Sequence, residues 1–259
     1  MDLVGVAEAA ARRAGRIIEA ASGSLLQVTH KGAIDMVTQV DLAAEDAIRA
    51  ELAVHTPEIP VLAEEGGGAW DASTRWIVDP LDGTTNFIHG YPSYAVSIAL
   101  QVDGRLEVGC IYDAVNGIAY TAVRGSGARG DGQRLKVSEA ARLDHALLVT
   151  GFPYDRRTEI DRYLPFVRAF LMRSQGLRRA GAAAMDFVAV ACGRVDGYWE
   201  FGLNPWDVAA GILLVQEAGG QVTDMEGGTL DLLRPRILAS NGKIHSEMTQ
   251  TLSELLSSA

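Results

Sequence analysis

Three β-rich runs in the middle of the chain, "YAVSIALQV" (94–102), "RLEVGCIYDAV" (105–115) and "IAYTAV" (118–123), are parted by Asp103-Gly104 and Asn116-Gly117. Asp-Gly and Asn-Gly tolerate the positive φ of a tight hairpin, so these runs are read as successive antiparallel strands. An antiparallel meander therefore follows the first helices. Ahead of it, Leu3, Val6, Ala10, Ala14, Ile17 and Ile18 recur at helical spacing and predict an amphipathic helix over 3–21. "TQVDLAAEDAIRAELA" (38–53) predicts a second helix, ended by "HTPEIP". "PVLAEE" (60–65) and "RWIVDP" (75–80) read as short buried strands that close on carboxylates.

The second half alternates. A strand at "ALLVTG" precedes a helix near 159–173, a helix at 182–192 and a strand at "VDGYWEF". Pro205 near N1 and glycines at the end bound the helix in "PWDVAAGILLVQEAGG", and "ILASN" and a helix after Ile244 close the chain. "RGSGARG" (124–130) reads as a small-residue loop. The expected architecture is layered α and β structure in one domain over 1–259, a meander portion over about 1–145 and an alternating βα portion over about 146–259.

With 33 acidic and 23 basic residues the chain carries a formal charge of −10, which argues against direct nucleic-acid binding. No apolar stretch reaches membrane-spanning length, and the start lacks the pattern of a secretory signal. Cys110 and Cys192 lie in apolar stretches without metal-ligand spacing, as expected for reduced thiols in a cytoplasmic protein.

"IVDPLDGTTNFIHG" (77–90) ends an apolar run on Asp79; Pro80 turns the chain and Asp82 follows onto the same side. Gly83, Thr84 and Thr85 then enter a helix start, whose free N–H groups suit an anion. Taken singly, each acidic group has a plain structural reading: a helix cap for Asp79-Asp82 and Asp41, a charged edge for Glu64-Glu65, a helix-dipole partner for Asp207. Together, four carboxylate groups at element ends imply a shared cation, because converging anions repel. The ligands are oxygens and the five histidines (30, 55, 89, 145, 245) are scattered, which favours Mg²⁺ or Mn²⁺ over zinc. Carboxylates for metal and N–H groups for phosphate describe a phosphatase. Neither a G-x-S-x-G elbow nor a P-loop occurs, and D-x-x-D-G-T is one residue longer than the D-x-D-G-T of haloacid-dehalogenase-like phosphatases.

"DPLDGTTNF" and "WDVAAGILLVQEAGG" resemble the paired signatures of the inositol monophosphatase family, with "EE" (64–65), "DMVTQVD" (35–41) and "GAAAMD" (181–186) in the family's order. The resemblance spans nearly the whole chain. It implies a five-layer αβαβα sandwich of the inositol monophosphatase/fructose-1,6-bisphosphatase type, Mg²⁺-dependent hydrolysis with two to three ions, lithium sensitivity and a homodimer. Glu64, Asp79 and the Leu81 carbonyl would hold a first metal and Asp79, Asp82 and Asp207 a second, with Glu64 reaching a third. Thr84, supported by Asp41 and acting with Glu64, would orient the attacking water, while Gly83 and Thr84 N–H groups bind phosphate. Arg178, Glu200 and the backbone at Gly181, Ala182 and Ala183 would face the organic part of the substrate, and Lys31 would lie near the metals. The subgroup resembled is the bacterial inositol-1-monophosphatase one. Fructose 1,6-bisphosphate or another sugar phosphate is the alternative substrate, and a regulatory binding protein that keeps the fold is the alternative class.

Overall fold

The computed structural model describes residues 2–23, 28–30 and 36–257. Lys31 and Asp35 lie outside the described residues. In chain order, α1 (Leu3–Ala21) is followed by the antiparallel pair β1 (Val28–His30) and β2 (Met36–Thr38), then α2 (Gln39–His55). Next come β3 (Val61–Ala63), β4 (Gly67–Gly68), β5 (Arg75–Asp82) and the short α3 (Thr84–His89). The meander is β6 (Ala95–Val102), β7 (Arg105–Asp113), β8 (Ile118–Val123), β9 (Gly127–Gly130) and β10 (Gln133–Arg134). The second half holds β11 (Leu147–Thr150), α4 (Arg156–Leu171), β12 (Gly176–Arg178), α5 (Ala183–Ala191) and β13 (Gly197–Glu200). It ends with α6 (Pro205–Glu217), β14 (Gln221–Asp224), β15 (Ile237–Ser240) and α7 (His245–Leu256).

Two sheets organise these elements. The first runs β10-β9-β8-β7-β6-β5-β3-β4, antiparallel except for the parallel β3–β5 pair. The second runs β12-β11-β13-β15-β14, with β11 parallel to both neighbours and the rest antiparallel. Side chains alternate across each strand, so one strand feeds two cores. Val96, Ile98 and Leu100 of β6 pack with α1 and α2, whereas Ala95 and Ala99 turn toward α5 and α6. Tyr198 of β13 joins that middle core while Trp199 faces α4 and α7 with Phe166, Phe170 and Met248. The layers are thus α1/α2, sheet, α5/α6, sheet, α4/α7, the five-layer sandwich that the resemblance implies.

Some expectations need correcting. Leu3, assigned to the apolar face of α1, is the helix's first residue and is 41% exposed, while Val6, Ala10, Ala14 and Ile18 are buried. The stretch "RGSGARG" is not all loop: residues 127–130 form β9, in which Ala128 packs beside Ala122. Glycine-rich composition hid a strand that buries one apolar side chain, Ala128.

His245 opens α7 and lies between two hydroxyls, Nε2 2.9 Å from Thr223 Oγ1 and Nδ1 2.9 Å from Ser240 Oγ. Burial holds its pKa down at about 4 from the ordinary 6.5, so the folded protein favours neutral imidazole. Its contribution to stability is complete above the unfolded-state pKa and is lost as pH falls through that window. Urea unfolding followed from pH 7 to pH 4.5 is expected to show a steeper loss of stability for the wild type than for His245→Gln. Parallel profiles would rule His245 out as the titrating group.

Candidate active site

The site forms where the two sheets' middle helices meet the carboxyl end of β5. One pocket is lined by Glu64, Asp79, Leu81, Asp82, Gly83, Thr84 and Thr85 from the first sheet's side, and by Gly181, Ala183, Glu200, Asn204 and Asp207 from the second. β5 pairs with β6 up to Asp79–Ser97 and resumes at Asp82–Ala95, so the ladder breaks over Pro80, which has no N–H to offer. That break turns Asp79 and Asp82 toward the same cleft. Asp79 is 1% exposed, and the Leu81 N–H donates to its Oδ1 at 3.0 Å.

Asp82 and Asp207 are fixed by backbone donors. Asp82 accepts the N–H groups of Ala183 (3.2 Å) and Ala184 (2.8 Å) at the start of α5. Asp207 accepts the Asn204 N–H at 2.7 Å, one half of a capping box at the start of α6. Asp207 is therefore a helix-terminal group, and the same side chain also lines the pocket. Glu64 follows β3, its N–H donating to Val78 O at 3.2 Å.

Crowding the carboxyls raises them. Burial first, then Glu64, Asp82 and Asp207, push the Asp79 carboxyl well above the carboxylate range. Burial likewise raises Asp82 and Asp207, against the pull of their backbone donors. Such a set is stabilised by positive charge. Its donors are carboxylate oxygens and the Leu81 carbonyl, and no histidine or cysteine lines the pocket, so the chemistry fits a hard divalent ion such as Mg²⁺. Among the described residues no three acidic, histidine or cysteine side chains are drawn together into a finished cation cage.

Thr84 stands beside this cluster. Its Oγ1 lies 2.9 Å from Asp41 Oδ1 and 3.1 Å from Leu81 O. Asp41 is itself held by Thr38, whose N–H (2.8 Å) and hydroxyl (2.6 Å) both donate to Oδ2. With its one proton directed at Asp41 or Leu81, the threonine oxygen keeps lone pairs for a further donor. Gly83 precedes α3 at φ +88, and a Cβ there would sit 2.9 Å from Ser93 O, so both conformation and space demand glycine.

The opposite wall is built by Glu200, Arg179, Arg156 and the Phe152–Pro153–Tyr154 segment. Glu200 accepts the Tyr198 hydroxyl at 2.7 Å, and a Cβ on Gly151 would overlap its carboxylate. Burial raises its carboxyl to about 7, opposed by the Tyr198 hydroxyl and Arg179. Arg178 is exposed on β12 and donates to its own neighbour's carbonyl, Leu177 O at 3.1 Å; Arg179 lines the pocket instead. Ala182 is buried behind the lining residues Gly181 and Ala183. Sequence reasoning also missed Asn86, inside the signature itself, whose amide donates to Ser93 O (2.7 Å) and Ala180 O (2.9 Å) and ties the two walls together.

A layered α/β fold around a carboxylate-lined, histidine-free cleft defines a class of metal-dependent phosphatases. Within it, the chain belongs to the inositol monophosphatase family, whose model matches residues 2–257. Nus factor SuhB of Pseudomonas aeruginosa is 45% identical over 258 residues, covering 96% of this chain and 95% of that protein. An inositol-1-monophosphatase of Synechocystis sp. is 45% identical over 250 residues, covering 95% and 87%. The crystal structure of extragenic suppressor protein suhB from Bartonella henselae superposes with a TM-score of 0.91 at 44% identity, covering 96% of this chain and 98% of that one. Metal dependence and phosphate ester hydrolysis are general to the family.

In excess chelator, Asp79→Asn is expected to be more stable than the wild type at pH 8, by about 1 kcal/mol or more, about 2–4 °C in Tm for a chain this size. The raised carboxyl destabilises the fold only when ionised, so the difference should shrink as pH falls. Thermal melts of both proteins at pH 8 and pH 5 test this, and a wild type that is the more stable at pH 8 would contradict it.

Proposed function

We propose that the chain hydrolyses inositol 1-phosphate to inositol and phosphate with Mg²⁺, by direct attack of water. The observation that carries the reading is the Asp41–Thr84 hydroxyl pair standing at the edge of the carboxylate pocket, with Glu200 on the far wall. Glu64, Asp79, Asp82, Asp207 and the Leu81 carbonyl are the groups that would hold two to three ions. When bound, such ions supply Lewis-acid charge to the phosphoryl oxygens. The chain's own residues do the positioning. Gly83 and Thr84 N–H groups at the start of α3 face a phosphoryl group, and the Thr84 oxygen accepts a hydrogen from water so that the water's lone pair points at phosphorus. Glu200, held by Tyr198, accepts from hydroxyls of the inositol ring.

A second substrate reading, a sugar bisphosphate such as fructose 1,6-bisphosphate, is favoured by one feature. Arg156 and Arg179 both line the wall that carries Glu200, across from Glu64, Asp79 and Asp207, and repel one another, which suits a second anionic group. The relative named Nus factor SuhB supports a further, non-catalytic role with macromolecular partners. Homodimerisation and a cytoplasmic location belong to the same proposal; among the described residues no helix is long and apolar enough to cross a membrane.

Phosphate release measured across inositol 1-phosphate, fructose 1,6-bisphosphate, adenosine bisphosphate and histidinol phosphate, with Mg²⁺ or chelator, tests the reading. Turnover in excess chelator, or preference for a substrate other than inositol phosphate, would overturn it at the metal or the substrate respectively. Lithium is expected to inhibit in the same assay.

Two variants test the roles. Thr84→Ala should lower kcat by about 10²-fold or more with little change in KM, because orienting water matters chiefly in the transition state. A change confined to KM would assign Thr84 to phosphate anchoring. Glu200→Leu should impair inositol 1-phosphate hydrolysis far more than that of an aryl phosphate lacking the hydroxyls, and equal losses would make Glu200 structural.

A further inference from the structure

Helix α2 carries Asp41, Glu45 and Arg49 at four-residue intervals. That spacing sets them on one face, about 6 Å apart along the axis. Asp41 serves Thr84. Glu45 has no part in the chemistry described so far, yet it is only 4% exposed and lies one turn from another buried acid. Like charges at this spacing destabilise a helix by a few tenths of a kcal/mol, so each needs its own reason to be there.

Glu45 reaches away from the helix to a single turn. Its Oε2 accepts the Glu65 N–H at 2.9 Å and its Oε1 the Gly66 N–H at 2.9 Å. Arg49 completes the clamp: Nε donates to Glu45 Oε1 at 2.8 Å and Nη2 to Gly67 O at 2.9 Å. A Cβ on Gly66 would lie 2.6 Å from Glu45 Oε1 and 2.9 Å from Arg49 Nη2, so the turn is seated directly on the pair. Two consecutive N–H groups held by one carboxylate fix the orientation of the peptide between them. Glu64 is the residue just before that peptide.

We propose that Glu45 is a positioning residue for the cation site: by clamping the 65–66 turn it sets where the Glu64 carboxylate stands, and so controls cation affinity. The inference rests on the metal-dependent phosphatase reading above. It makes α2 a shared mount, with Asp41 holding the water-orienting threonine and Glu45, one turn on, holding the acid of the metal site.

Glu45→Gln preserves shape but turns an NH₂ donor toward an N–H donor. Isothermal titration calorimetry with Mg²⁺ and no substrate should show binding weakened about tenfold or more, the usual effect of losing a partner that orients a ligand. The Mg²⁺ concentration for half-maximal phosphate release should rise by the same factor, with kcat at saturating Mg²⁺ changed by less than about threefold. Gly66→Ala, in which the turn is pushed off the carboxylate, should shift Mg²⁺ affinity the same way and decides the matter if Glu45→Gln does not fold. Unchanged Mg²⁺ affinity in either folded variant overturns the proposal, as does a loss confined to kcat. A wild type that binds Mg²⁺ without releasing phosphate overturns the phosphatase reading instead, and the calorimetric comparison still decides the role of Glu45.

Discussion

The structure depends on keeping several carboxylates in one buried place without letting them scatter. Asp79, Asp82 and Asp207 face a common cleft, and burial and mutual repulsion both raise them. Left to themselves, such groups would turn outward to water. The fold prevents this with backbone donors: Leu81 N–H on Asp79, Ala183 and Ala184 on Asp82, Asn204 on Asp207. Two of those anchors are helix starts, where N–H groups have no intrahelical acceptor and the dipole favours an anion. The central helix layer therefore does more than fill space between sheets. Its amino ends are what hold the acids in place.

Elements from four successive layers converge on this one small pocket. β5 delivers Asp79 and Asp82, α2 supports Thr84 and the 65–66 turn, and α5 and α6 arrive from beneath the second sheet with Asp207. Glu200 comes from β13 in the second sheet itself. Stability and activity pull against each other here, since an apolar cleft would satisfy burial and leave no chemistry.

Much of this was legible in the sequence because local chemistry and global fold agree. Asp103-Gly104 and Asn116-Gly117 mark the β6–β7 and β7–β8 turns, and Pro205 marks the start of α6. The DPLDGTT run names its own strand end and helix start. What escaped did so for physical reasons. β9 has too little apolar content to show a period, and β4 consists of two glycines. Arg178 ends β12 and Arg179 follows it, and the pocket takes the second of these two like neighbours. Glu45 looks like any surface acid on an amphipathic helix, and only the packing of a turn 20 residues later reveals its partner.

The chain order of these parts has a consequence for how the protein is made. Synthesis begins at the amino terminus and proceeds at about 5–20 residues per second. Ala183 is 101 residues beyond Asp82, the acid it will hold. The backbone donors that α5 brings to Asp82, and Asp207 on α6, are therefore synthesised after β5 and the whole meander. The electrostatic cost of the site thus falls on the last stage of assembly, when the middle helices close over acids already in position. The finished cleft is itself the sign that both halves of the polypeptide have come together.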